Sequence, residues 1–417
     1  SFAGRARYLL ASEEVEPGHG WDHRAVSILK TNPTALALGE AVVRTYQAQA
    51  VANQDSARIT LALTDLDKVP ELSRALATLS GAMQAPIDDH APLVGRARAG
   101  ITTFGQIPGG PSTGMVDLLE FVDTLAGLDP TLQAPIAAVR GALGSAVVNK
   151  VSGPALAGVG GLSVFFPSVQ KGYDPDYASL GVANTWRSFL SAYYGAASSL
   201  TQSPVFTNPN KEALVTSVLG ALHVAGQLQS GTFDNLASTT FDFGLVGQDD
   251  TIYVLGDEPA DVDRNGLVTK DWNESALQIV QGTTSDFAYY VLEATDNGLV
   301  SLSVPLGYED ESSVEFVLLQ LVFQLDGTLV SSSYYVQTDG AWAELVPAAG
   351  GTYRTLIPTL VSGAAEVSWE PQVEVFDSSN PLDLRFADLP AGTNVFVELT
   401  ASDFSEQSDS VISAVRL

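Results

Sequence analysis

The chain has 417 residues, 45% apolar and 16% charged, enough for two or three domains with packed cores and unlike a disordered composition. Its formal net charge of −28, with only six lysines, repels phosphate backbones and anionic membrane surfaces, so nucleic acid is not an expected partner. There is no cysteine, which removes disulfides and thiolate metal sites, and no run of about eighteen uncharged apolar residues reads as a membrane span. Ser1 is not followed by a basic start and an apolar block, so no signal peptide is read; any targeting segment is expected on sequence outside these residues. The acidity suits a solvated, salt-tolerant surface and an extracellular or cell-surface protein.

Residues 1–200 mix strand-like and helical patterns. Tyr8–Ser12 reads as a short strand entering a Pro/Gly loop, Glu16–Gly20, and Ala25–Leu29 starts a helix. Thr34–Ala50 carries Leu36, Leu38, Val42, Val43 and Tyr46 at helical spacing, and Ile59–Leu63 is strand-like. Pro70–Met83 is a helix opened by its proline, Pro108–Gly114 is a breaker cluster, and Met115–Leu125 is helical. Gly161–Phe166 is a buried-strand candidate and Trp186–Tyr194 an aromatic-rich helix. The class of this half is therefore α/β.

Residues 201–247 read as a transition, with Val215–Leu228 as a helix candidate between Ser/Thr/Asn/Gly-rich flanks. From 248 to 417 short β-rich runs follow: 252–255, 276–280, 287–292, 299–304, 314–325, 331–336, 367–375 and 395–400. Asp296-Asn297-Gly298, Asp326-Gly327 and Pro390-Ala391-Gly392 separate some of them. The expected architecture there is one β-sandwich or two small ones.

Asp261, Asp263, Asn265 and Asp271 lie in a D-x-D-x-N-G run that could offer oxygen ligands to calcium, although Trp272 stands where an EF-hand loop has its bidentate acid. The competing reading is an acidic β-turn without an ion. Gly110-Pro-Ser112-Thr-Gly114 fits the G-x-S-x-G pattern but follows loop rather than strand, so Ser112 is read as a helix cap. His90 is read as a surface histidine, since it has no cysteine or second histidine at metal spacing, and His223, inside an apolar helix candidate, as a satisfied core residue.

The run YLLASEEVEPGHGWDH (8–23) resembles the segment downstream of the catalytic cysteine in clostripain-like peptidases. SILKTNPTALALGEAVVRTY (27–46), ITLALTDLDKVPEL (59–72), MVDLLEF (115–121), GLSVFFPS (161–168) and NTWRSFLSAYY (184–194) follow in that family's order. The resemblance implies an α/β caspase-like (hemoglobinase-like) fold over residues 1–200, a Cys/His dyad, and cleavage of protein or peptide substrates after basic residues. It also implies a histidine in a His-Gly pair and a cysteine some fifteen to twenty residues before the Tyr-Leu-x-Ala-Ser-Glu-Glu block. Only seven residues precede Tyr8, so neither group is expected here, and thiolate–imidazole chemistry needs both. His19-Gly20 sits in a loop after Pro17-Gly18, on the wrong side of that cysteine, and is not read as the catalytic pair.

By analogy with caspase-like folds, the strand and loop after the cysteine line the S1 pocket. Ala11 and Ser12 would then offer backbone contacts, and Trp21 a flat apolar wall. Glu13, Glu14 and Asp22 would supply negative charge for an Arg or Lys side chain. Relatives specific for basic residues place an Asp where this chain has His19, which weakens the expectation of basic specificity. The same acids could instead cap and solvate the turn.

The leading functional expectation is the C-terminal chain of a processed clostripain-like endopeptidase whose partner is an N-terminal chain carrying His and Cys. The alternative is a non-catalytic scaffold or cell-surface protein using its β-domain for interaction, and a weaker third is a calcium-dependent β-sandwich module for carbohydrate or polymer. Calcium is the one cofactor suggested.

Overall fold

The computed structural model describes residues 4–53, 55–105, 113–168, 170–180, 184–197, 203–218, 220–232, 236–294, 299–311, 313–338, 341–361, 367–405 and 407–417. The chain forms two compact units, Ser1–Thr201 with Phe404–Glu406, and Gln202–Asp403 with Gln407–Leu417.

The first unit is mixed α/β. A three-stranded antiparallel sheet runs β1 (Tyr8–Ala11), β2 (Thr60–Asp65) and β4 (Val147–Ser152), with β2 in the middle. Every residue of β2 is buried, so both faces of the sheet are covered there. On one face Leu61 and Leu63 pack with Val42, Val43 and Tyr46 of α1 (Ala35–Asn53), whose buried residues recur at helical spacing. A second core gathers α2 (Val69–Gln84), α3 (Ile87–Ala99), α4 (Leu118–Leu128), α5 (Gln133–Ala146) and α7 (Asn184–Ala197). Its centre is aromatic: Phe121, Phe166 and Trp186 meet edge to face at 5.4–6.1 Å.

Met115–Asp117 is not the first turn of a helix. It forms β3, paired with β5 (Ser163–Phe165), and the helix starts at Leu118 because the Asp117 carboxylate accepts the Glu120 N–H at 2.8 Å. Two helices and a strand escape the periodicity reading, α3 with Pro92 inside it, the small-residue α5, and β4. A short helix, α6 (Pro175–Ser179), lies between β5 and α7.

The second unit is all β. A branched twelve-stranded sheet follows the path 341–344, 329–338, 314–324, 299–309, 290–294, 252–259, 236–246, 394–403 and 408–416, with strand 352–360 branching from it. A four-stranded and a three-stranded sheet pack over the same core, which holds Phe241, Phe243, Trp272, Ile279, Leu319 and Val397.

Residues 201–247 are not a linker with a helix: 214–218 and 221–227 form an antiparallel hairpin and 236–246 is a long strand. Gly220, at φ +84°, turns the hairpin, and Leu222 and Val224 go inward at period two. The Asp326-Gly327 turn is present, with Gly327 at φ +85°. The Asp296–Gly298 turn and Ser112 lie outside the described residues. No helix among the described residues is long and apolar enough to cross a membrane.

Candidate functional site

The loop that leaves β1 is held from below by Thr60. Thr60 Oγ1 accepts the N–H groups of Glu13 (2.9 Å) and Glu14 (3.0 Å) and stands 2.8 Å from Ser12 Oγ, which itself donates to the Glu14 carbonyl at 2.7 Å. One hydroxyl therefore satisfies the turn that a strand end would otherwise leave open. Glu14 Oε1 accepts the N–H groups of Val15 (2.9 Å) and Gly105 (3.1 Å), and Oε2 is 3.5 Å from Arg58.

Further along, Trp21 Nε1 donates to Glu16 Oε2 at 2.9 Å. Burial raises the Glu16 carboxyl, and Trp21 and His19 oppose that rise. Gly20 closes a turn onto the Pro17 carbonyl at φ +63°, a conformation that suits glycine. His19 places Nδ1 2.7 Å from the Gly20 carbonyl and Nε2 3.1 Å from Asp55 Oδ2, with its ring 6.3 Å from that of Tyr46. Asp22 accepts from the Arg24 backbone and guanidinium at 2.9 Å and caps the 3-10 turn His23–Lys30. Those Arg24 bonds hold its carboxyl below the usual range.

Glu13 turns the other way. Ser163 Oγ on β5 donates to Glu13 Oε1 at 3.1 Å, and the carboxyl faces that of Asp117. Asp117 is fully buried and accepts the N–H groups of Glu120 (2.8 Å) and Gly160 (2.7 Å). Burial, with the Asp117 charge, pushes the Glu13 carboxyl up to about 9; burial also raises Asp117.

Of the seven candidate substrate-binding residues, the structure gathers Ala11, Ser12, Glu13, Glu14, His19, Trp21 and Asp22 along one strand end and loop. It engages six of them internally, and Ala11 alone is an exposed strand residue. Thr60, Asp117 and Ser163, which anchor the loop, carry no motif of their own in the sequence. Each lies in one of the blocks 59–72, 115–121 and 161–168, and that coincidence was the available signal.

The candidate calcium residues lie in the second unit and do not converge. Asp263 Oδ1 accepts the N–H groups of Asn265 and Leu267, both at 2.8 Å, and Gly266 at φ +76° completes the turn. Asp261 pairs with Thr269 across the hairpin, while Asp271 Oδ1 is 2.7 Å from His223 Nδ1 on the neighbouring strand. These residues do not fit a calcium shell as placed, and among the described residues no group of three or more His, Asp or Glu is positioned to hold a metal ion. His223 is a half-exposed strand residue, not a core helix residue. His90, read as a surface residue, is buried in α3 against Asp129.

A mixed α/β unit whose first strand end carries this acid-rich loop defines the class of the N-terminal region. Residues 1–154 match the family model described as the clostripain family, a family of cysteine peptidases. No curated protein and no solved structure matches the chain.

Proposed function

We propose that this chain is the C-terminal chain of a clostripain-like cysteine endopeptidase with a caspase-like fold. It supplies part of the central sheet and the wall of the S1 pocket, and an N-terminal chain supplies the Cys/His dyad. The observation that carries this reading is the outer edge of β1, which has no strand partner among the described residues. An edge with free N–H and C=O groups takes an added strand, and a clostripain-family region without cysteine needs its nucleophile from elsewhere. Ala11 and the loop to Asp22 would then flank the incoming nucleophile and receive protein or peptide substrates. Secretion to the cell exterior belongs to this proposal; calcium takes no step in it.

The alternative is a non-catalytic scaffold or cell-surface protein with a β-rich interaction domain. The engagement of Glu13, Glu14 and Asp22 in internal bonds favours it, because acids that build a loop are not free to bind a basic side chain. Co-expression of the chain with the coding sequence upstream of Ser1 separates the two. The peptidase reading expects a tight complex that cleaves Arg- or Lys-ended peptides and loses activity on alkylation of the partner's cysteine. A complex that assembles without cleaving any peptide leaves the scaffold reading.

A further inference from the structure

Glu13 Oε2 is enclosed and meets no N–H or O–H donor, while the same carboxyl faces Asp117. Two ionised carboxylates in contact repel, and burial weakens the solvation that would tolerate them. Asp117 cannot be the group that gives way easily, because the Glu120 and Gly160 amides hydrogen-bond its charged form. Glu13 receives only neutral donors, the Ser163 hydroxyl and the Gly161 peptide.

The surrounding charges do not neutralise the pair. Arg58 reaches Glu14, and Lys150 on β4 donates to the Val159 carbonyl. The Glu120 carboxylate accepts the Thr102 amide at 3.0 Å, and Asp117, the N-cap of α4, faces Glu13.

We propose that Glu13 is a positioning residue kept as a neutral acid, whose proton is donated to Asp117 and fastens the 12–22 loop to the β3–β5 pair. The proton satisfies Oε2, turns the contact from repulsive to attractive, and joins the strand-end loop to the start of α4. Its bearing on substrate rests on the pocket-wall reading, whereas the shared proton itself stands or falls without any peptidase activity.

The sign of the pH dependence follows. Glu13 is raised in the folded chain relative to the unfolded one, so its contribution is complete at acid pH and declines as pH rises toward about 9, where the folded group ionises.

The test uses the full chain labelled with ¹³C-carboxyl glutamate, which leaves aspartates silent. One glutamate resonance is expected to remain protonated through neutral pH and to titrate near 9, and it vanishes in Glu13→Gln. In denaturant unfolding, the unfolding constant of wild type relative to Glu13→Gln is expected to climb by up to about tenfold per pH unit between neutrality and about pH 9. Gln keeps an N–H donor for Asp117, so Glu13→Gln retains loop amide protection while Glu13→Ala loses it. If every glutamate carboxyl ionises in the ordinary range, the proposal is overturned. Should Glu13→Gln not fold, Asp117→Asn replaces it: removal of the facing charge is expected to lower the high-titrating resonance, and an unmoved resonance overturns the pairing.

Discussion

His19 Nε2 stands 3.1 Å from Asp55 Oδ2, so the loop position at which basic-specific relatives are expected to place an acid is filled by a side chain paired with an acid of its own. His19→Asp would set two carboxylates side by side and create a site for a cation. In the proposed complex with an N-terminal chain, kcat/KM for Arg- and Lys-ended peptides is expected to rise about tenfold, worth about 1.4 kcal/mol, with other peptides unchanged. Steady-state kinetics on a matched peptide pair reads this, and an unchanged ratio would remove residue 19 from the P1 contact.

Thr60→Val removes the acceptor for two loop amides at nearly constant volume. Leaving these amides without a partner is expected to cost about 2 kcal/mol and to open the Ser12–Val15 turn. Denaturant unfolding gives the first quantity, and loss of amide-exchange protection confined to 13–15 gives the second.

Gly153→Ala would drive a Cβ into the backbone carbonyls of Ser56 and Ala57, which cannot swing aside as a side chain could. The Gly153 N–H also donates to the Ile59 carbonyl at 2.7 Å, which ties β4 to the approach to β2. We expect a loss of about 2–3 kcal/mol in a thermal melt, against almost none for Gly141→Ala, whose added methyl meets open space.

Burial raises the Asp129 carboxyl, but bonds from the Thr131 hydroxyl and amide and from His90 outweigh it and hold the group below the usual range. A lowered carboxylate stabilises fully above its unfolded pKa and loses that contribution as pH falls through the folded one. Asp129→Asn should therefore cost about 1–2 kcal/mol at neutral pH and much less at about pH 3, as read from urea midpoints.

Calcium titration separates turn from ion site at residues 261–271. Asp263 already spends one oxygen on two backbone amides, so Asp263→Ala is expected to loosen the hairpin without changing the heat of calcium addition at about millimolar concentration. A wild-type binding heat that disappears in this variant would restore the ion.

Much of the first unit was legible because its signals are local. Helical spacing marked α1, α2 and α7, and short β-branched or leucine runs marked β1 and β2. What failed was also local in origin. Val215–Leu228 carries apolar residues that suit either period, and pairing of its two halves with each other and of 222–227 with strand 267–272 selects the extended form. At Met115 the strand was hidden because its partner, β5, lies almost fifty residues away.

The site divides along the same line. Composition alone removed thiolate chemistry, and the ordered blocks carried the clostripain-family resemblance and singled out residues 11–22. Which of those residues are available to a ligand was beyond sequence reading. The roles of Glu13, Glu14 and His19 depend on Asp117, Gly105 and Asp55, brought beside them by the fold. A carboxylate's function is set by what desolvates and faces it, and those neighbours are distant in the chain. The sequence by itself therefore determined which chemistry these residues cannot supply, while the tertiary structure decided that their acids first serve to build the loop.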